Sequence, residues 1–336
     1  TTDQVSNPLN ILQNVYFDGN WKKIIGDESS RYVQLNGQHT FMVDSTTGDP
    51  DDVIDPWVTS MILDTNSRIS LSNNDAGGSN TVFGYLAGAA LASGGENNVL
   101  IGDNAGNDLT TGDQNVIIGH LAGDALVGGD DNTFIGQSAG GVTTAGAAMV
   151  IIGRNAGLAD ITADAAGTVA VGANSLQALT SGQGNVAIGY QALDAETIGD
   201  FCTAVGYQAL SAQVGIDGKV ANTAVGHQAG LDITSGQYNT LLGYLAGANL
   251  TTMNHNTAIG TEALTGSSLV DQCVVIGSQA GTAAMTADAD GTVAVGYSAL
   301  QLLTSGARNT AVGYSALIGL TTGDYNTALG WGAADA

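Results

Sequence analysis

Basic residues are scarce in this chain of 336 residues: seven Lys and Arg stand against 31 Asp and Glu, a formal net charge of −24. Four of the seven, Lys22, Lys23, Arg31 and Arg68, precede residue 75. Proteins that bind nucleic acids need Lys and Arg to contact the phosphates. We therefore expect no nucleic-acid partner, and we interpret the acidity as a source of solubility and of repulsion between like particles.

Long apolar runs are missing as well. No stretch of 18 apolar residues occurs, so we expect no membrane insertion, and the first residues do not form a signal peptide. Proline is rare, with three residues, and aromatic residues make up 5% of the chain. Few large side chains are therefore present to fill a wide interior.

Glycine, in contrast, is abundant and recurs at a fixed interval. One phrase, best seen in Asn309-Thr310-Ala311-Val312-Gly313-Tyr314-Ser315-Ala316-Leu317, repeats fifteen times. Ten of the fourteen spacings between its glycines are 17 residues, and the others are 18, 19, 20 and 19. A short, regular period is typical of a solenoid, in which each repeat stacks on the one before. The repeat glycines stand at positions 84, 102, 119, 136, 153, 172, 189, 206, 226, 243, 260, 277, 296, 313 and 330.

Each repeat contains a short strand, best described by positions relative to its glycine. Position −1 is always Val, Ile, Leu or Phe, and position −3 is always Thr or Val. This alternation of β-branched and apolar residues predicts a strand. Asn occupies position −4 in ten repeats and predicts a ladder of amides bonded to the coils above and below.

Position −2 is apolar in every repeat, although it must point to the opposite face of the strand. A strand that is apolar on both faces should be covered on both faces. We therefore expect position −2 to pack against other copies of the chain, around a threefold axis. The predicted subunit-interface residues are Ala170, Ala187, Ala204, Ala224, Ala258, Ala294, Ala311 and Ala328.

Position +1 carries an aromatic ring in many repeats. We interpret this column mainly as a stacked polar and aromatic ladder, which His120 and His227 also join, and less as a stripe that contacts carbohydrate. The same rings could instead be buried between subunits. The candidate surface residues are Tyr85, Tyr190, Tyr207, Tyr244, Tyr297, Tyr314 and Trp331.

No motif in the chain predicts catalysis. The four histidines lack a partner Ser or Cys in a nucleophile motif, the glycine-rich turns lack a phosphate-binding pattern, and the acidic residues stand singly in turns. Regular Thr at position −3 could suggest an ice-binding face, but we interpret that position as core-like. We expect no catalytic residue, no cofactor and no metal site, and therefore no enzyme.

Only two cysteines occur, Cys202 and Cys273, both at position −4. Stacked strands lie about 4.8 Å apart, so the four coils between these residues would separate them by about 19 Å. That distance is too long for a disulfide. The sequence therefore predicts two small core residues and no disulfide scaffold.

The spacings also indicate an internal duplication. The series 17, 17, 17, 19, 17, 17 runs from Gly102 and, after a spacing of 20, begins again at Gly226. A block of seven coils has been copied whole, and the extra residues of the long coils are expected to form outward bulges.

Before residue 75 the composition changes, since this segment holds all three Pro, two of the three Trp and four of the seven basic residues. The segment 15–21 predicts two strands around an Asp-Gly turn, and residues 61–71 predict a second strand pair.

The phrase Asn-Thr-Ala-Val-Gly-Tyr-x-Ala-Leu resembles the head repeats of trimeric autotransporter adhesins, which are parallel β-rolls. It is even more similar to repeats in bacteriophage tail-fibre proteins. The leader stretches Val15-Tyr16-Phe17-Asp18-Gly19-Asn20-Trp21-Lys22-Lys23-Ile24 and Met61-Ile62-Leu63-Asp64-Thr65-Asn66-Ser67 are similar to segments ahead of such fibre repeats. The resemblance implies a homotrimer in a virion, in contact with other tail proteins and with a host-surface glycan or protein.

These observations together predict an all-β chain. A small β-rich module over 1–75, serving attachment or as a cap, precedes a parallel β-roll or β-solenoid of about fifteen 17-residue coils over 76–336, assembled as a homotrimer. The expected function is that of a structural tail-fibre component that spaces or presents host-recognition elements. The alternatives are a trimeric adhesin on a bacterial cell surface and, less favoured, a polysaccharide depolymerase.

Overall fold

The computed structural model describes residues 9–13, 15–17, 21–23, 29–35, 38–44, 58–63, 69–71, 79–91, 94–215 and 218–335. The chain divides into two compact units, Thr1–Ala76 and Gly77–Ala336. The described residues are almost entirely strands and turns, and their helices are two 3-10 turns of three residues each. The predicted all-β class is confirmed.

The first unit consists of antiparallel strands. The strands are β1 Leu9–Gln13, β2 Val15–Phe17, β3 Trp21–Lys23, β4 Ser29–Leu35, β5 Gln38–Asp44, β6 Val58–Leu63 and β7 Ile69–Leu71. Five of them form one sheet in the order β1-β4-β5-β6-β7, while β2 and β3 form a separate pair. The strand pairs predicted within 15–21 and 61–71 are confirmed by β2–β3 and β6–β7, although the Asp-Gly turn lies outside the described residues.

The second unit is a solenoid with one strand of three residues in each of its fifteen coils. The strands are β8 Thr81–Phe83, β9 Val99–Ile101, β10 Val116–Ile118, β11 Thr133–Ile135, β12 Val150–Ile152, β13 Val169–Val171, β14 Val186–Ile188, β16 Thr203–Val205, β18 Thr223–Val225, β19 Thr240–Leu242, β20 Thr257–Ile259, β21 Val274–Ile276, β22 Val293–Val295, β23 Thr310–Val312 and β24 Thr327–Leu329. Two further short strands, β15 Gly199–Asp200 and β17 Gly218–Lys219, pair beside them.

The fifteen strands form one parallel sheet in chain order, and equivalent repeat positions pair throughout. Val116, for example, stands beside Val99 on one side and Thr133 on the other. The register is kept across the longest coil, where Thr203 pairs with Thr223. The predicted parallel solenoid is thereby confirmed. Fourteen steps of about 4.8 Å give this unit a sheet about 67 Å long.

The structure contradicts the predicted subunit-interface role of the alanines at position −2. The central residue of the strand, which is position −2, is buried within a single chain in fourteen of the fifteen strands, whereas the residues on either side remain partly exposed. Position −2 therefore faces the interior of the solenoid, and no second chain is needed to cover it. The alanines concerned are Ala170, Ala187, Ala204, Ala224, Ala258, Ala294, Ala311 and Ala328.

The interior is narrow, and two positions within each coil, −2 and +4, share part of its volume. Where position −2 is large, position +4 is Gly, as in Leu100 with Gly106. Where position −2 is Ala, position +4 is a buried Leu in six coils, as in Ala187 with Leu193. A Cβ added to Gly106 would lie 3.0 Å from Leu100 Cδ2. Because interiors are close-packed, the two side chains of a coil compensate each other in size.

One exception shows that neighbouring coils also share this space. Ala224 is followed at position +4 by Gly230, so both residues are small. A Cβ on Gly230 would nevertheless lie 2.7 Å from Leu241 Cδ1 and 2.8 Å from Leu210 Cδ2. Leucines of the two adjacent coils therefore fill the space that this coil leaves empty.

Asparagines at position −4 form the predicted ladder. The Asn115 backbone N–H and Nδ2 both donate to Asn98 Oδ1, at 2.9 and 3.0 Å, and Nδ2 also donates to the Gly129 carbonyl at 2.8 Å. The Asn132 backbone N–H continues the chain by donating to Asn115 Oδ1 at 3.0 Å. Each amide thus satisfies buried backbone groups of neighbouring coils, which would be costly to leave unpaired.

The repeat glycines form a column in which the coils approach closely. All fifteen have φ between 128° and 145°, which disfavours any residue with a Cβ. In fourteen of them, an added Cβ would overlap the carbonyl group of the next glycine in the column. Glycine is therefore required at this position for both its backbone conformation and its lack of a side chain.

The two 19-residue coils contain the two 3-10 turns, Ala163–Ala165 and Ala287–Ala289, which lie at the positions predicted to bulge. Threonine replaces the ladder asparagine in these coils. Thr168 Oγ1 donates to the Ala165 carbonyl at 2.8 Å, and Thr292 Oγ1 donates to the Ala289 carbonyl at 2.7 Å. The extra residues are thereby accommodated without a change in strand register.

We expect Gly119→Ala to destabilise the solenoid, because its Cβ would lie 2.6 Å from the Gly136 carbonyl oxygen at a φ of 137°. Backbone strain and steric overlap together should lower the unfolding free energy by about 2 kcal/mol or more. Gly319→Ala is the matched control, since a Cβ there meets no atom within 4 Å. Urea denaturation followed by circular dichroism measures both, and equal stabilities would contradict the proposed glycine requirement.

We expect size compensation to appear in a double-mutant cycle at Ala258 and Leu264. Ala258→Leu should destabilise by about 1–3 kcal/mol through overpacking. Leu264→Gly should destabilise by about 2–5 kcal/mol by opening a cavity. The double variant reproduces the Leu and Gly combination of the neighbouring coil, so its loss should be smaller than the sum by at least about 1 kcal/mol. Additive losses in urea denaturation would show that these two side chains do not share one space.

Candidate functional site

Aromatic rings at position +1 stack along the solenoid axis. The ring centroids of Tyr190 and Tyr207 lie 5.3 Å apart, those of Tyr207 and His227 lie 5.0 Å apart, and those of His227 and Tyr244 lie 5.4 Å apart. The interplanar angles are 17°, 10° and 29°. The structure therefore brings three of the candidate surface residues into one four-ring column, with His227 as a member.

A second column lies near the C-terminal end of the solenoid. The ring centroids of Tyr297 and Tyr314 are 5.2 Å apart, and those of Tyr314 and Trp331 are 6.2 Å apart, both with interplanar angles of 14°. Tyr85 joins neither column, because the next coil carries Asp103 at position +1. The seven candidate residues thus form two groups and one separate residue.

Stacking limits what the rings can bind. An aromatic ring binds a sugar through its face, and here the inner rings already use their faces for one another, at centroid distances typical of stacked pairs. Tyr190, Tyr207 and Tyr244 remain 41 to 47% exposed. The rings can therefore present mainly edges and hydroxyl groups along a column, and the end ring Trp331, 82% exposed, has most of its surface free.

An amide ladder accompanies the first column at position +2. Gln208 Nε2 donates to Gln191 Oε1 at 3.0 Å, and Gln228 Nε2 donates to Gln208 Oε1 at 2.9 Å. All three glutamines adopt positive φ values of 51° to 53°. These bonds tie together the turns that carry Tyr190, Tyr207 and His227, the first three rings of the first column.

Sequence reasoning missed a further column at position −5, where the backbone also has positive φ. Tyr238 and His255 stack at 5.0 Å with an interplanar angle of 9°. Arg308 donates from Nη1 to Tyr325 Oη at 2.8 Å, and its Cζ lies 5.7 Å from the centroid of that ring. Residue type varies widely at this position, so the sequence contained no regular signal for these pairs.

The most extensive continuous feature of the solenoid is the outward face of its long sheet. We define the outer sheet face as the residues at positions −3 and −1 of the fifteen strands: Thr81, Phe83, Val99, Ile101, Val116, Ile118, Thr133, Ile135, Val150, Ile152, Val169, Val171, Val186, Ile188, Thr203, Val205, Thr223, Val225, Thr240, Leu242, Thr257, Ile259, Val274, Ile276, Val293, Val295, Thr310, Val312, Thr327 and Leu329. All thirty are partly or fully exposed in the single chain, and none carries a charge. The interpretation of position −3 as core-like was therefore wrong.

Several of the acidic residues stabilise the turns that precede the strands, because their carboxylates accept hydrogen bonds from turn N–H groups of the preceding coil. The backbone N–H of Asp113 donates to Asp130 Oδ1 at 2.9 Å, and that of Ala307 donates to Asp324 Oδ1 at 2.8 Å. Asp200 accepts from Gln183 in the same way, also at 2.9 Å. Asp at position −6 thus bonds the turn of the preceding coil, so part of the negative charge has a structural role.

A polar hollow of about 460 Å³ opens beside the second 3-10 turn. Its lining residues are Ala287, Asp288, Asp290, Ser305, Ala307, Arg308, Thr322 and Asp324. Within the part of the chain that the structure describes, no three His, Cys, Asp or Glu side chains are arranged to hold a metal ion. No helix in that same part has the length and apolar character needed to cross a membrane.

A buried polar cluster, also unforeseen from the sequence, lies where the two seven-coil blocks meet. Glu196 replaces the usual core leucine and is fully buried. Its Oε1 accepts the backbone N–H groups of Thr197 and Gly199 at 2.9 and 2.7 Å, and Oε2 accepts from Gln213 Nε2 at 2.7 Å. The carboxylate is thus buried and bonded to the turn N–H groups and to Gln213 of the next coil, which indicates a structural role.

The two cysteines are buried free thiols, as the sequence predicted. Burial raises the pKa of the Cys202 thiol, and equally that of the Cys273 thiol, to about 11. At neutral pH both are therefore protonated, and neither is a candidate nucleophile, because the thiolate is the reactive form.

A scan of protein-family models, a search of curated proteins and a search of solved structures each found no match to this chain.

We expect the folded chain to resist thiol reagents. At pH 8, a pKa near 11 leaves about one thiol in a thousand ionised, so labelling by a disulfide reagent should be at least about 100-fold slower than in guanidinium-unfolded chain. Thr252→Cys, at an exposed turn, is the control and should react rapidly. Rapid labelling of the folded wild-type chain would contradict the burial of both thiols.

The same pKa values give a pH dependence of stability. The folded state holds its thiol protons more tightly than the unfolded state, whose thiols have the ordinary value of 9.0. This stabilising contribution is fully present below pH 9 and is lost as the pH rises through 11. A Cys202→Ala and Cys273→Ala double variant should lose less stability than the wild type over that interval, as measured by thermal denaturation.

Proposed function

We propose that this chain is a structural component of a bacteriophage tail fibre, in which the solenoid holds host-recognition elements at a fixed distance. The observation that supports this most strongly is the stacking of fifteen equivalent coils in unbroken register. Such an arrangement suits a rigid spacer, because each coil contacts its neighbours through the same bonds and extends the rod by a constant step.

The bonds between coils suit a mechanical role. Backbone hydrogen bonds of the sheet run parallel to the axis, as in Gly119 N–H to the Ile101 carbonyl at 2.8 Å. The buried asparagine ladder adds side-chain bonds in the same direction, such as Asn132 Nδ2 to the Gly146 carbonyl at 2.8 Å. The sheet bonds recur at every step between coils, so a load along the rod would be shared by several bonds at each step.

The proposed role is not enzymatic. Acidic residues at position −6 bond neighbouring turns, the two thiols are buried and protonated, and His227 is stacked between two rings. These residues are thus engaged in the solenoid itself. The proposed partners are two further copies of the chain, other tail proteins of the virion, and a glycan or protein of the host surface.

The location of the chain tests this proposal directly. An antibody against unit Gly77–Ala336, coupled to gold, should label the tails of virus particles from a culture that expresses the chain. Antibody preincubated with purified chain is the control and should label nothing. Label on bacterial envelopes instead would favour the adhesin, and loss of capsular polymer on incubation with the chain would favour the depolymerase. Either outcome would reject the tail-fibre role.

A further inference from the structure

We propose that the outer sheet face is covered by the same face of other copies of this chain. The inference rests on the proposed fibre, for which it identifies the surface that joins the copies. It replaces the alanines of position −2, which lie inside a single chain, as the contact between subunits.

The composition of the outer sheet face is the first argument. Its thirty residues comprise twelve Val, eight Thr, seven Ile, two Leu and one Phe. A sheet with one solvated face normally alternates apolar residues inside with polar residues outside, whereas parallel strands that are apolar on both sides are covered on both sides. The solenoid interior covers only one side of the sheet. We therefore expect another chain to cover the outer sheet face.

The size of the face supports a stable contact. A length of about 67 Å and a width of about 10 Å, the span of two side-chain columns, give roughly 670 Å². A standard protein interface buries about 800 Å² on each partner. The aromatic columns at position +1 follow the strands by two residues and would extend the contact toward that value. Apart from its eight threonines the face is apolar, and its extent slightly exceeds the largest apolar patch of a typical monomer, roughly 300–600 Å².

The periodicity of the face argues for a second copy over an unrelated partner. Side chains repeat along it at the strand spacing, over fourteen steps without a register shift. A second copy in parallel register carries the same spacing, so its protruding side chains can pack between those of the first copy along the full length of the sheet. A partner without a repeat at the strand spacing would match at only a few positions.

The charge distribution favours the same arrangement. Each copy carries a formal charge of −24, so copies repel one another in most orientations. The outer sheet face carries none of this charge, while acidic residues such as Asp113 and Asp130 lie exposed or half-exposed in the turns. Contact through this face is therefore the approach that brings the fewest carboxylates together.

Charged substitutions on the face test the proposal. Val225→Glu with Ile259→Glu should place like charges at the contact and reduce the particle mass from a multiple of the 33.6 kDa chain to that of a single chain. Asn249→Glu with Thr252→Glu adds the same charge at exposed turn residues and should leave the mass unchanged. Native mass spectrometry measures mass, and circular dichroism checks that each variant is folded.

A crosslinking measurement keeps the test decisive where the charged variant fails to fold. In a Cys202→Ala, Cys273→Ala background, Thr240→Cys on the outer sheet face should crosslink between chains with a bismaleimide that spans about 10 Å, the distance between packed sheets. Thr252→Cys, in a turn, should not. Crosslinking by the turn variant alone would overturn the proposal.

The remaining outcomes separate this inference from the proposed function. A wild-type chain of single-chain mass, or a folded charged variant that keeps the wild-type mass, would overturn the inference. A single chain that also slows ice growth would assign the face to ice, consistent with its regular threonines. Copies that join through this face while the gold-labelled antibody marks bacterial envelopes would support the inference and reject the tail fibre.

Discussion

Close approach of successive coils at the repeat glycine is the constraint on which the solenoid depends. At Gly102, Gly119 and Gly136, the space a Cβ would need is already occupied by the carbonyl of the next glycine. A side chain in any coil would push that coil from its neighbour. The sheet bonds and the asparagine ladder on either side would then lengthen together, because both run between the same two coils. One residue type at one position thus sets the spacing for all other contacts.

A constant, narrow interior follows from this spacing and determines which residues point outward. Positions −2 and +4 together supply one large side chain to each coil, as the pairs Leu100 with Gly106 and Ala187 with Leu193 illustrate, and most coils add only one more, such as Leu109 at position +7. The strand has only three residues, and its other two side chains must therefore point away from the core. Val, Ile and Thr at those positions suit strand geometry but leave an apolar surface outside. A strand of only three residues keeps each coil small, and it also leaves the outer sheet face uncovered by the chain itself.

Much of the fold could be predicted from sequence, because the strand pattern recurs in every repeat and the 17-residue spacing and the asparagine at position −4 recur in most of them. The orientation of the strand could not be predicted from alternation, because all three of its residues are apolar or Thr. Size compensation between Ala187 and Leu193 was a usable signal that the alanines face inward, and it was overlooked. Six of the seven candidate rings stack in columns, as the interpretation of a stacked ladder predicted, whereas Tyr85 stands alone because Asp103 follows it in the next coil. The burial of Glu196 could not be predicted, because its sequence neighbourhood is that of a solvent-exposed acidic residue in a turn and only the structure shows its hydrogen bonds.

The irregular coils show where this architecture tolerates change. Additional residues enter the coils of Ala163–Ala165 and Ala287–Ala289 as 3-10 turns, and the coil of 20 residues contains β17, which pairs with β15 of the coil before it. In each case the strands on either side remain in register, as Val150 with Val169 and Thr203 with Thr223 demonstrate. The backbone bonds of the sheet and the buried residue at position −2 both depend on this register, and the outer residues keep it because all side chains of one strand shift together. The outer face therefore stays continuous across every insertion, and this continuity is what the proposed contact with other copies of the chain would use.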